Sequence, residues 1–195
     1  MTDNEQAIVP PAMITDGQLD APGLGQVVWI TDVGHFRQRN EDRLLVKSLW
    51  GGEFLLLLVA DGAGGHESGD RAAEEAIATF DGFFSTAEEV PGGDPLTWLR
   101  EVMLLAHERV KGLATGGIRP PASTIVGLLV ERASLCGWRF HIGDSRLYGC
   151  ALAGEVTSWT RDHNILTHPH FSELKKIVLD QIYEESVKAA GGIDG

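Results

Sequence analysis

The segment Val59-Ala60-Asp61-Gly62-Ala63-Gly64-Gly65 sets a carboxylate at the end of an unbroken apolar run, Phe54 to Ala60. A carboxylate held at the lip of a core by a rigid strand suits a hard divalent cation, which takes oxygen from carboxylates, backbone carbonyls and water. Gly62 lets its own carbonyl turn toward the same ion. Read alone, the pair is equally an ordinary Asp-Gly turn. Upstream, Arg37-Gln38-Arg39-Asn40-Glu41-Asp42 puts two adjacent carboxylates just before a strand. In extended backbone Glu41 and Asp42 point to opposite faces. One could then ligate an ion while the other orients a water, and Arg37 could clamp a phosphate through two parallel hydrogen bonds. By itself this run also reads as a solvated, mixed-charge loop. Gly143-Asp144-Ser145-Arg146 and Thr160-Arg161-Asp162-His163-Asn164 follow strands, and each alone reads as a turn.

Such residues need elements to hold them. Residues 1 to about 25 are punctuated by Pro10-Pro11, Gly17 and Pro22-Gly23, and they read as a mobile tail. Strands are expected at Val27–Thr31 and Leu44–Lys47. The run Phe54–Ala60 is apolar on both faces, as a strand buried on both sides should be, and a loop follows at Asp61–Gly65. Ser68 to about Phe84 places Ala72, Ala73, Ala76, Ile77 and Phe80 at helical spacing. A second helix starts with Asp94 as N-cap and Pro95 at its first position. Strands return at Ser123–Glu131, Cys136–Ile142, Arg146–Ala151 and Val156–Trp159, the last two joined by a turn at Ala153-Gly154. Ser172 to about Ala190 completes the pattern as a helix with Leu174, Ile177, Val178 and Ile182 on one stripe. Strands, two helices, strands and a helix predict an α+β fold with antiparallel pairing, not a repeating parallel unit.

Composition narrows the function classes. The 195 residues carry 16 Lys and Arg against 28 Asp and Glu, a formal charge of −12. That balance argues against a protein held to nucleic acid or to anionic lipid by bulk charge. The longest apolar run is far too short to span a bilayer. Cys136 and Cys150 read as free thiols, and the N-terminus has no basic stretch followed by an apolar core, so a cytoplasmic protein is the expectation. A nucleotide site on Gly62–Gly69 is set aside, because no Gly-Lys-Ser/Thr follows the glycines.

Taken together and in order, the motifs are specific. They are Thr31-Asp32-Val33-Gly34 through Arg37, Asn40-Glu41-Asp42, Val59 to His66, Ser123-Thr124, Ile142 to Arg146, and Thr160 to His163. Over residues 26–164 the chain resembles the bacterial metal-dependent protein serine/threonine phosphatases, the PPM or type-2C family. The resemblance implies two packed antiparallel sheets flanked by helices (an αββα sandwich) with two Mg²⁺ or Mn²⁺ ions at one end. It also implies a metal-activated water that attacks phosphoserine or phosphothreonine directly. Asp61 matches the bridging aspartate, Gly62 the glycine that donates its carbonyl, and Glu41 a glutamate that reaches a metal through water. Asp42 matches a carboxylate supporting metal-bound water, Arg37 the phosphate-binding arginine, and Asp144 the aspartate of a third, weaker metal. His66 stands where the bacterial pattern has a histidine, and it reads equally as a catalytic group or as a residue packing the helix start. The implied partner is a phosphorylated protein, the substrate of a Ser/Thr kinase.

The family draws two further aspartates from the C-terminal part of its domain. Only 31 residues follow Asn164 here, and their acidic residues fall mostly on the expected last helix. The sequence therefore reads as a domain with C-terminal strands missing and one well-formed metal half-site. Residues 1–25 are expected to be its tail, 26–164 a partial phosphatase domain, and 165–195 a divergent helical segment. The alternative is a truncated or degenerate member of the family with weak or no activity, acting as a phosphoprotein-binding or regulatory module. His163, His168 and His170 have a spacing that could suit a transition metal, though Pro169 between two of them favours a surface turn.

Overall fold

The computed structural model describes residues 6–8, 14–63, 69–114 and 120–163. Among these the elements run β1 (Gln6–Ile8), β2 (Ile14–Ala21), β3 (Gly25–Asp32), β4 (Asp42–Leu49), a 3₁₀ turn (Trp50–Gly52), β5 (Phe54–Ala63), α1 (Gly69–Ser85) and α2 (Pro95–Gly112). Then come β6 (Ala122–Ser123), β7 (Ile125–Glu131), β8 (Gly137–Ile142), β9 (Tyr148–Cys150) and β10 (Val156–Ser158). All pairing is antiparallel, and the fold is α+β as the sequence predicts.

The apolar run sits where its composition requires. β5 lies inside a sheet of order β1-β4-β5-β7-β8, with β6 pairing its far end. One face of this sheet carries Leu45, Leu56, Leu58, Ala60, Ile125, Leu129 and Phe140 against the two helices. The small residues Ala72, Ala73 and Ala76 bring α1 close to the sheet, and Phe80 then stacks on Phe140 with ring centroids 5.5 Å apart. Asp94 caps α2 by accepting a hydrogen bond from the Leu96 N–H at 3.0 Å, with Pro95 following as expected.

The opposite face is covered by a β2–β3 hairpin, which packs Leu19, Val27 and Trp29 on Leu44, Val46 and Leu57. This corrects the reading of residues 1–25 as a tail, since they contain β1 and β2. The punctuating residues are turn chemistry. Gly23 adopts φ 83°, and the Leu24 N–H donates to the Ala21 carbonyl at 2.9 Å, closing a Pro22-Gly23 turn between two strands. The hairpin lies over the β4 side of the sheet, and Val59 stays 45% exposed.

Two other expectations change. Asp61–Ala63 do not form a loop; they continue β5, because Gly62 and Ala63 pair with Ser123 and Ala122 of β6. The expected helix at Ser172–Ala190 lies outside the described residues. Both cysteines are free, and both are exposed. No helix among the described residues is long and apolar enough to cross a membrane.

β4 also holds a buried cation. Lys47 is 5% exposed on the helix-facing side and donates to Asp81 Oδ1 of α1 at 2.6 Å and to Ser85 Oγ. Removing one member of such a pair strands a charge in the interior. Asp81→Ala should therefore lose about 3 kcal/mol of stability, and adding Lys47→Met should recover most of that loss. Urea unfolding of the two single variants and the double variant measures the coupling.

Candidate metal centre

The register of β4 on β5 sets Asp42 directly opposite Asp61. Strand alternation turns both side chains to the sheet face away from the helices. Burial, then the neighbouring Asp42, and then the charge of Asp144 push the Asp61 carboxyl above its ordinary range, with Arg37 pulling the other way. Like charges are thus gathered at the end of β5.

Glu41 is turned to another neighbour. A Cβ on Gly69, the first residue of α1, would stand 2.9 Å from Glu41 Oε1 and 3.0 Å from the Gly62 carbonyl oxygen. A Cβ on Gly62 would in turn lie 2.0 Å from the Gly69 carbonyl oxygen. Only glycine at both positions lets α1 begin against the end of β5, and this approach brings the Glu41 carboxylate and the Gly62 carbonyl into one place. Arg37, 72% exposed, pairs with Glu41 Oε2.

Backbone and side-chain hydrogen bonds order these groups. Asn40 is buried; its side-chain Nδ2 donates to Thr31 Oγ1 at 2.8 Å and its side-chain Oδ1 accepts from the Asp42 N–H at 3.0 Å. The Gly62 N–H donates to the Glu41 carbonyl at 3.2 Å. Thr124 grips Asp61 twice, donating its N–H to the Asp61 carbonyl at 2.8 Å and accepting the Asp61 N–H on Oγ1 at 3.1 Å. The same hydroxyl lies 2.6 Å from Ser145 Oγ, in the turn that carries Asp144. Two motifs left as turns by the sequence are bound to each other. Arg146 donates two hydrogen bonds to Asp162, at 2.8 and 2.6 Å, and holds that carboxyl below its ordinary range, while the His163 N–H donates to the Gly143 carbonyl at 2.8 Å.

The structure therefore brings Asp42, Asp61, Asp144 and Arg37 into one electrostatic neighbourhood and places Glu41 beside Gly62. His66 lies outside the described residues, as do His168 and His170. The His163 ring stacks on His141 with centroids 4.3 Å apart. Asn40, Gly69 and Thr124 are the working residues that sequence reasoning left without a role. A fixed close approach would have given Gly69 away, but only the folded chain shows it.

The donors at the end of β5 are all oxygen, and a crowd of carboxylates with one raised pKa fits a divalent cation. Among the described residues, no three acidic, histidine or cysteine side chains converge into a closed ion site.

Comparison with known proteins bears on this arrangement. The protein phosphatase 2C family model matches residues 35–185. The serine/threonine phosphatase stp of Listeria monocytogenes is 28% identical over 146 residues, covering 70% of this chain and 54% of that protein. The chain thus spans about half the length of the curated relatives it matches. The fold is similar to that of the Mycobacterium tuberculosis serine/threonine phosphatase PstP/Ppp, with a TM-score of 0.57 and 22% identity, over 87% of this chain and 60% of that one. It is similar also to the catalytic domain of PstP in complex with 2 manganese ions, with a TM-score of 0.53 and 23% identity, over 87% and 61% of the two chains.

The raised Asp61 pKa has a thermodynamic consequence. A carboxyl whose folded-state pKa exceeds its unfolded value favours the folded chain below the ordinary value of 3.8, and that benefit is lost as pH climbs through the raised value. In metal-free buffer at pH 7, Asp61→Asn should therefore melt a few degrees above the unmodified protein, and the gap should close toward pH 4. Mn²⁺ should raise Tm for the unmodified protein and leave the Asn variant largely unmoved. Thermal melts across pH, with and without Mn²⁺, read both effects.

Proposed function

The chain belongs to the protein phosphatase 2C family, and on that premise we propose that it hydrolyses phosphoserine or phosphothreonine in protein substrates, using divalent Mg²⁺ or Mn²⁺. The observation that carries this reading is the pairing of Asp42 with Asp61 at the end of β5, beside Glu41 and the Gly62 carbonyl. Asp61, Glu41 and the Gly62 carbonyl would hold a cation, and Asp144 would contribute to a third, weaker metal position. Bound divalent ions supply neutralisation of phosphate charge and a lowered pKa for water. Asp42 would accept the hydrogen bonds of water at the site and orient it. Arg37 is long and exposed, so it can leave Glu41 for a phosphate, which its planar guanidinium meets with two parallel hydrogen bonds. A phosphate on a flexible segment of a partner protein would be turned toward the water by that clamp. The phosphoprotein would be the product of a Ser/Thr kinase.

One observation favours a second reading, a phosphoprotein-binding module with little turnover. Glu41 is engaged by Arg37, which occupies one of its carboxylate oxygens.

The discriminating measurement is Mn²⁺-dependent hydrolysis of a phosphothreonine peptide. Metal ligation is worth several kcal/mol of transition-state stabilisation, so Asp61→Asn should lower kcat/KM at least about 100-fold, the equivalent of ~3 kcal/mol. Arg37→Ala should act mainly by raising KM for the peptide. Equal rates for the Asn variant and the unmodified protein would discard the enzymatic reading in favour of the binding one. Peptide binding that survives Asp61→Asn and is lost in Arg37→Ala would mark that second role.

A further inference from the structure

Arg43 follows the two acidic residues directly and is buried to 4% exposure. Its neighbours on the same side of β4 are Leu45 and Leu49, packed in the helix-facing core, and Lys47, which is paired with Asp81. A guanidinium there is costly, and among the described residues its ion pair is a long one, with Glu74 of α1 at 4.0 Å, whose side chain is 66% exposed, while Arg43 Nε has no hydrogen-bond partner. For stability alone an apolar side chain of similar size would serve as well or better.

The guanidinium does make two other contacts. Arg43 Nη1 donates to the Asn40 carbonyl at 2.9 Å and to the Asp42 carbonyl at 2.9 Å. These carbonyls bracket Glu41. One nitrogen therefore clasps the backbone on both sides of the residue whose carboxylate stands beside the Gly62 carbonyl. Asn40 orders the same turn from the other flank, through Thr31 Oγ1 and the Asp42 N–H. A turn carrying adjacent carboxylates repels itself and would splay in solvent. A buried cation below its carbonyls offsets that tendency without meeting the carboxylates themselves.

We propose that Arg43 is a positioning residue for the metal centre. It fixes the Asn40–Asp42 backbone so that Glu41 and Asp42 are presented in divergent directions before any cation arrives. The inference rests on the metal-site reading given above and goes beyond it by assigning a role to a residue that touches neither ion nor substrate. Residues that orient ligands in this way typically change metal affinity by about 10- to 100-fold.

The test uses the full chain with Arg43→Met and Arg43→Lys. Arg43→Met should keep a Tm close to that of the unmodified protein, with faster hydrogen–deuterium exchange in peptides covering 40–43 without metal. Its Mn²⁺ affinity by calorimetry should fall at least about 10-fold. The Mn²⁺ concentration for half-maximal phosphothreonine-peptide hydrolysis should rise in step, while the peptide KM at saturating Mn²⁺ should hardly move. Arg43→Lys, which retains a buried donor, should fall between the two, and it carries the test if the Met variant does not fold. A folded variant with unchanged Mn²⁺ affinity and unchanged exchange would overturn the positioning role while leaving the metal site intact. Absence of Mn²⁺ binding and of hydrolysis in the unmodified protein would instead remove the metal-site reading, and this inference with it.

Discussion

Everything at the candidate site depends on a conflict between two demands on β5. As a strand inside the sheet it must be apolar on both faces, and from Phe54 to Ala60 it is. Its next residue is a carboxylate, and the antiparallel register places Asp42 of β4 directly across from it. Like charges directly opposite on a sheet are unfavourable. The chain tolerates the pair at the strand end, where water and an oxygen-seeking cation can reach it; burial first, and Asp42 after it, raise the pKa of Asp61. The sheet that makes the fold is thus also what forces the carboxylates together.

The surrounding polar contacts are arranged around the backbone more than around the carboxylates. Thr124 binds the Asp61 peptide groups on both sides, Asn40 binds the Asp42 N–H, and Ser145 meets the Thr124 hydroxyl. Side-chain oxygens are left to project from a backbone already held. That division suits a centre whose occupant is a metal. Hydrogen bonds to the carboxylates would compete with it, whereas hydrogen bonds to the peptide groups set the direction from which they approach. Arg37 is the exception, and its exposure lets it exchange Glu41 for another anion.

The sequence made the main architecture legible through β5 and the two helices. Continuous apolarity, alanine-rich helical spacing and the Asp94-Pro95 cap are local signals, and α2 begins at Pro95 as those signals require. The β2–β3 hairpin was hidden because its turn residues, Pro22 and Gly23, mark a tail and a tight turn equally well. What decides between them is Trp29 and Leu19 packing on Leu44 and Val46, a long-range fact. The continuation of β5 through Ala63 was hidden for a similar reason: its partner, β6, is two residues long. At the site the acidic residues were legible by type and order. Gly69 was not, because its requirement comes from a carbonyl seven residues away meeting it in space.

Among the described residues the hairpin joins the larger sheet by side-chain packing and by the Asn40–Thr31 hydrogen bond, not by a strand ladder. Elements attached in that way open at lower free energy than strands paired on both sides. The amides of β3 should then exchange in a unit separate from those of β5 and β7. Because Thr31 belongs to β3 and its partner Asn40 orders Asp42, each opening of the hairpin also releases one restraint on the acidic turn. The β2–β3 hairpin would thus bear on how often the site is assembled.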